Sequence, residues 1–188
     1  MGPGRGPVST AAGRPVLVVM GVSGCGKSTV AALLAGRLGW PFAEGDDFHP
    51  AANVAKMHSG HPLDDDDRWP WLEKIAVWVD ERLDTGSGGV ITCSALKRRY
   101  RDVIRRDDTA RSAGVAHGVV FVYLHGTREQ IANRLAARQG HFMPAALLDS
   151  QFAALEEPQP DENAIRVEIG DNPAALADEI VSRLDLSA

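Results

Sequence analysis

The sequence predicts an α/β fold: a doubly wound parallel sheet of five strands with helices on both faces. Three observations predict it. Short apolar runs without polar alternation recur, as in Pro15-Val16-Leu17-Val18-Val19-Met20 and Gly118-Val119-Val120-Phe121-Val122-Tyr123-Leu124. Strands buried on both faces read this way. Segments with helical spacing lie between the runs, and strand and helix patterns alternate about five times, as parallel crossovers require.

Each element has its own signal. The first strand, Pro15–Met20, stops at Gly21 and a Gly-rich turn follows. Val30, Leu33, Leu34 and Leu38 predict a helix over Ser28–Leu38, ended by Gly39. A short strand is expected at Pro41–Glu44, then a polar loop, Gly45-Asp46-Asp47-Phe48-His49-Pro50. Pro50 suits the first turn of a helix running through Val54 and Met57. His58–Asp67 reads as an acidic loop, and a longer helix is expected from about Pro70 to Leu83. Gly86–Gly89 breaks the chain before a buried strand at Val90–Cys93. Arg98–Arg106 is a basic amphipathic helix with Tyr100, Val103 and Ile104 as its apolar positions. After the strand at 118–124 come helices at Arg128–Arg138 and Pro144–Leu155, interrupted by Gln139-Gly140-His141-Phe142-Met143. A last strand at Ile165–Ile169 and a helix at Pro173–Leu184 close the chain.

A length of 188 residues points to one domain, with a core large enough to need no disulfide or structural metal. Residues 1–14, rich in Gly and Pro, read as a flexible tail before a domain spanning 15–188. A net charge of −5 gives no reason to expect nucleic acid. Two widely separated cysteines, Cys25 and Cys93, no signal-peptide core and no membrane-length apolar segment point to the cytoplasm.

Gly21-Val22-Ser23-Gly24-Cys25-Gly26-Lys27-Ser28 fits G-x-x-x-x-G-K-[ST] at every fixed position, between a strand and a helix. Glycines there let backbone amides face phosphate oxygens, and the helix that follows adds its positive end. The loop and Thr29 after it are expected to hold ATP. Lys27 reaches the β- and γ-phosphates and the Ser28 hydroxyl ligates Mg²⁺. The fold expectation therefore narrows to the P-loop nucleoside-triphosphate hydrolase and kinase class, with helical lid segments. Cys25 is read as a small residue at a tolerant loop position, and Cys93 as a core residue.

Ala76-Val77-Trp78-Val79-Asp80-Glu81 imitates the apolar strand and acidic pair of many ATPases. Leu72, Ile75, Ala76, Val79 and Leu83 nevertheless fall at helical spacing, so Asp80 and Glu81 are read as helix surface charges. A GTPase would need N-K-x-D and D-x-x-G segments, and neither occurs. A small-molecule kinase remains.

Several loop segments together resemble the gluconokinase family. They are Gly45-Asp46-Asp47-Phe48-His49-Pro50, Asn53, Lys56-Met57, Ser59-Gly60 and the run from Pro62 to Leu72. Cys93-Ser94-Ala95-Leu96-Lys97, Tyr100-Arg101-Asp102, Arg134 to Arg138, Gly140-His141-Phe142, Gln151-Phe152, Leu155-Glu156 and Pro158 continue the likeness. It covers Pro15 to about Asn172 and departs locally at Asp47-Phe48.

The resemblance implies ATP-dependent phosphorylation of D-gluconate at its 6-hydroxyl, with Mg²⁺, and suggests a homodimer. It implies an acceptor flap at about 46–72 and a lid at about 138–157. Asp46, at the carboxyl edge of the sheet where ligands bind, would orient the acceptor hydroxyl and take its proton. Arg68 is the first choice for the gluconate carboxylate, which a guanidinium binds through two parallel hydrogen bonds. His49, Lys56, Ser94, Lys97, Arg101 and His141 are further acceptor-side candidates. Arg134 and Arg138 share a helical face. Arg138 would touch the transferring phosphate, and Arg134 would lie near the base. Asp64–Asp67 is expected to be a mostly solvated helix cap. Shikimate or a nucleoside monophosphate is the alternative acceptor, and a non-catalytic nucleotide-binding regulator the alternative class.

Overall fold

The computed structural model describes residues 13–106, 118–137 and 145–186. The expected tail up to residue 12 lies outside the described residues, as do Arg138, His141 and the rest of 138–144. The elements run β1 (Arg14–Met20), α1 (Lys27–Leu38), β2 (Phe42–Ala43), a 3-10 turn (Gly45–Phe48), α2 (Ala51–His58), α3 (Asp65–Thr85) and β3 (Ser87–Thr92). They continue α4 (Arg98–Arg105), β4 (Val119–His125), α5 (Arg128–Ala137), α6 (Ala145–Ala154), β5 (Ala164–Glu168) and α7 (Pro173–Arg183). The five strands pair in parallel in the order β2-β3-β1-β4-β5.

The absence of polar alternation in β1 and β4 has a direct cause in packing. Leu17 and Val19 of β1, with Val120, Val122 and Leu124 of β4, join α1 and α7 in one core. Val16, Val18 and Met20, with Val119, Phe121 and Tyr123, join α3 and α4 in the other. A strand that supplies both cores has no solvent face on which a polar residue could sit. β1 is central, with β3 on one side and β4 on the other, so the chain reverses its winding direction at β1. The crevice at the carboxyl end of such a strand is where doubly wound sheets place their ligands.

The largest difference from the sequence reading is the start of α3, at Asp65 rather than Pro70. Asp64 and Asp67 form a reciprocal cap: each carboxylate accepts the other's backbone N–H at 2.9 Å. Pro70 therefore lies inside the helix. The acidic run does cap, as expected; Asp64 and Asp66 are exposed, while Asp65 and Asp67 are half-buried. Asp65 accepts from the Tyr100 hydroxyl and pairs with Lys97 and Arg99, binding α3 to α4. The Tyr100 hydrogen bond, ahead of the two cations, holds the Asp65 carboxyl below its usual range. In α2 the buried residue is Asn53.

Candidate active site

The phosphate loop joins the end of β1 to α1. Gly21, Gly24 and Gly26 have φ of 141°, 85° and 97°, a region closed to most side chains, and Gly26 precedes the first turn of α1. Two further constraints demand small residues. A Cβ on Gly21 would stand 2.9 Å from the carbonyl of Leu124, and one on Gly24 would stand 2.8 Å from Leu135 of α5. The Gly21 N–H donates to the Ser94 carbonyl at 3.3 Å, which seats the loop on the end of β3. The Lys27 ammonium donates to the carbonyls of Gly21 and Val22, each at 3.0 Å, and so lies along the loop's entering leg. Ser28 and Thr29 are exposed at the start of α1, while Cys25 is buried against the core.

Beside the loop stands a residue the sequence reading missed. The Ser28 hydroxyl donates to Glu44 Oε1 at 3.0 Å, and the Thr92 hydroxyl donates to the same oxygen. Glu44 follows the short β2 strand, and its only sequence signal was its place just before Gly45-Asp46. Thr92 also accepts from the Gly45 N–H at 3.0 Å, and the Gly45 carbonyl accepts from the Trp71 indole at 2.7 Å. Gly45 is so close to β3 that a Cβ would lie 1.9 Å from the Thr92 carbonyl. β3 and α3 thus hold the turn that carries Asp46, two residues beyond Glu44.

Asp46 points into the open, with its side chain 82% exposed and His49 Nε2 at 3.9 Å. It is no helix cap: the 3-10 turn begins at Gly45, with Glu44 before it, α2 follows Pro50, and neither start has a side-chain cap bond. The His49 ring stacks on Trp71 with centroids 4.2 Å apart. Asn53 Nδ2 donates to the Asp67 carbonyl at 2.7 Å and approaches His49 Nδ1 at 3.4 Å. A donor facing Nδ1 places the neutral ring's proton on Nε2, toward Asp46. Burial lowers the His49 pKa from its ordinary value; Asp46 opposes this and Arg68 adds to it.

The basic candidates separate once their partners are known. Lys56 is held by Asp67 at 2.5 Å and Asp64 at 3.3 Å, and Lys97 by Asp65 at 3.2 Å. Arg68 donates through Nη1 to the Leu63 carbonyl, lies over the Tyr100 ring, and has no carboxylate partner among the described residues. Its charge reaches both His49 and Cys93. Ser94, half-buried at the end of β3, lies next to Cys93, whose thiol is pushed up to about 12 by complete burial and is therefore inert.

Arg101 is a correction. It is 1% exposed, and its guanidinium forms a two-bond pair with Glu162, also 1% exposed, at 2.5 and 2.9 Å. Its Nη1 group donates to the carbonyls of Ala95, Leu96 and Glu156. A guanidinium so buried and so bonded is not open to an acceptor, and Arg101 is a tie between α4, the 94–97 loop and the segment before β5. Burial alone would raise the Glu162 carboxyl, but the Arg101 bonds hold it below its usual range. The pair's contribution is therefore present above the ordinary carboxylate pKa and is lost as pH falls through the depressed one. Arg101→Met should destabilise the fold by about 3–5 kcal/mol by leaving a buried charge unpaired. Urea unfolding at neutral pH checks this, and an unchanged midpoint would refute it.

On the nucleotide side, the Arg134 guanidinium donates to the Gly170 carbonyl and lies 3.9 Å from where a Gly26 Cβ would be. It bridges the phosphate loop and the β5–α7 connection. Gln151 of α6 is a second residue missed from sequence: it binds Ser23 of the loop through both ends of its carboxamide.

A family model described as an AAA domain matches residues 16–158. Together with the parallel sheet and the loop seated on its central strand, that match defines a protein of the P-loop nucleoside-triphosphate class. The gluconokinase of Gluconobacter oxydans (strain 621H) is 50% identical over 165 residues, covering 88% of each chain. A sugar kinase from Janibacter sp. HTCC2649 superposes with a TM-score of 0.80 at 46% identity, covering 93% of this chain and 95% of that one. A gluconokinase from Sinorhizobium meliloti 1021 does so with a TM-score of 0.79 at 42% identity, covering 93% of both. The chain belongs to the gluconokinase family.

Proposed function

We propose that this protein transfers the γ-phosphoryl group of ATP to the 6-hydroxyl of D-gluconate, giving 6-phospho-D-gluconate and ADP. The observation that carries this reading is the short path from loop to acceptor base. The Ser28–Glu44 hydrogen bond puts the end of β2 against the phosphate loop, and Asp46 follows two residues later, exposed and uncapped.

The residues divide the work of an in-line transfer, which rests on positioning and charge. Amides of residues 21–29 cradle the phosphates, and Lys27 neutralises the β- and γ-oxygens. The Ser28 hydroxyl and Glu44 carboxylate are hard oxygen donors at the loop's edge, the donor type that Mg²⁺ takes, so the site fits that ion. Bound Mg²⁺ would neutralise charge across the β- and γ-phosphate oxygens. Asp46 orients the 6-hydroxyl and accepts its proton, while His49 presents Nε2–H beside it. Arg68 takes the gluconate carboxylate, with Ser94 and Lys97 along the same edge. Residues 46–72 form the acceptor flap of a single domain; Arg138 and His141, the expected lid residues, lie outside the described residues. Arg134 supports the base side. No helix among the described residues is long and apolar enough to cross a membrane. We read the enzyme as a cytoplasmic homodimer without a nucleic-acid partner.

Coupled ADP release with a panel of acceptors tests the reading. Glucose carries similar hydroxyls but is mostly a closed ring without charge, so the carboxylate cation would be left unpaired. A hydrogen bond to a charged group is worth about 1.5–3 kcal/mol, roughly 10- to 150-fold in kcat/KM. Clear turnover is expected with gluconate, and very little with glucose, shikimate or AMP. Arg68→Ala should raise the KM for gluconate with little change in kcat. Equal kcat/KM for glucose and gluconate would overturn the acceptor, and an unchanged KM in Arg68→Ala would remove Arg68 from the carboxylate role.

A further inference from the structure

The bond between Gln151 and Ser23 joins residues 128 positions apart and engages one loop residue twice. Gln151 Oε1 accepts from the Ser23 N–H at 2.7 Å, and Nε2 donates to the Ser23 hydroxyl at 3.2 Å. We propose that Gln151 makes the loop selective for a nucleoside triphosphate over a diphosphate by presenting a neutral N–H donor to the γ-phosphate.

Two features of the geometry point there. First, Ser23 lies on the γ side of the loop. The β-phosphate belongs at the start of α1, where Gly26, Lys27 and Ser28 turn their amides outward. The Lys27 ammonium, which serves both terminal phosphates, lies against the carbonyls of Gly21 and Val22, just before Ser23. The leg from 21 to 23 therefore flanks the outer phosphate. Second, the carboxamide is held in one orientation. With Oε1 on the backbone amide, Nε2 must face the Ser23 hydroxyl, and an NH₂ group has two hydrogens. One is engaged by Ser23, and no other bond from Nε2 occurs among the described residues. The second hydrogen is a preset donor for a phosphate oxygen, and being neutral it costs little desolvation when the site closes on its ligand.

The proposal rests on the kinase reading only in that a γ-phosphate is bound, so its test measures binding and not turnover. Isothermal titration with ADP and with the non-hydrolysable triphosphate AMPPNP, both with Mg²⁺, compares wild type with Gln151→Glu and Gln151→Leu. The glutamate keeps an acceptor for the Ser23 amide but sets a negative charge beside the γ-phosphate. AMPPNP affinity should fall roughly 10- to 100-fold in Gln151→Glu, and about 10-fold in the neutral Gln151→Leu. ADP affinity should stay within about two-fold in both, a range far below one decade. Preserved ADP binding also reports an intact loop. Equal loss of both nucleotides, or loss of neither, would overturn the proposal and leave Gln151 as a tie that packs α6 on the loop. Absence of gluconate turnover in the wild type, with AMPPNP still bound, would instead refute the acceptor reading and leave this one standing.

Discussion

Lys27→Ala should lower kcat by roughly 10²–10³-fold or more, the cost of removing a preorganised donor from developing charge. The ammonium is already at its post: both of its hydrogen bonds go to carbonyls of its own loop, at 3.0 Å. Little reorganisation is needed for it to meet the β- and γ-phosphates, and alanine supplies neither the charge nor the reach. The same bonds make Lys27 a modest stabiliser of the loop, so the variant should lose about 1–3 kcal/mol and remain folded. Steady-state turnover beside a thermal melt reads both effects. Near-normal turnover in a folded Lys27→Ala variant would sink the kinase reading of the site.

Asp46→Asn should lower kcat by about 10²–10⁴-fold, the usual share of a positioned general base. The substitution is close to isosteric and keeps an oxygen that can accept the hydroxyl's hydrogen bond. It removes only the ability to hold the proton. Because the side chain is 82% exposed and forms no cap, the fold should not change. Nucleotide affinity should not change either, since Glu44 and not Asp46 touches the loop residue Ser28. Single-turnover rates together with ADP titration separate the two steps. A wild-type kcat would reduce Asp46 to a bystander and would shift attention to His49, whose Nε2 lies 3.9 Å away.

Where the sequence reading succeeded, its signals were local. An apolar run with no polar alternation marks a strand buried on both faces, and β1 and β4 lie within a residue or so of their expected bounds. Where it failed, a local signal was outvoted. Pro70 reads as a first-turn residue, yet α3 begins five residues earlier because the Asp64–Asp67 cap nucleates it. Arg101 sits on a basic, amphipathic stretch and looks like a substrate cation, and only its distant partner shows otherwise.

By itself the sequence determined the parallel sheet, the phosphate loop with Lys27 and Ser28, and the segments that place the chain among the gluconokinases. These depend on strand burial, on glycine conformations and on contiguous motifs, all of which are written in neighbouring residues. Only the tertiary structure decided which charges are spent and which are available. Arg101 is consumed by Glu162, 61 positions away, Lys97 by Asp65, 32 away, while Arg68 keeps no carboxylate partner among the described residues. Glu44 and Gln151 likewise acquire meaning only through Ser28 and Ser23. Such pairs form where the folded backbone brings distant side chains together, and a contact of that kind leaves no periodicity in the chain for a sequence reading to find.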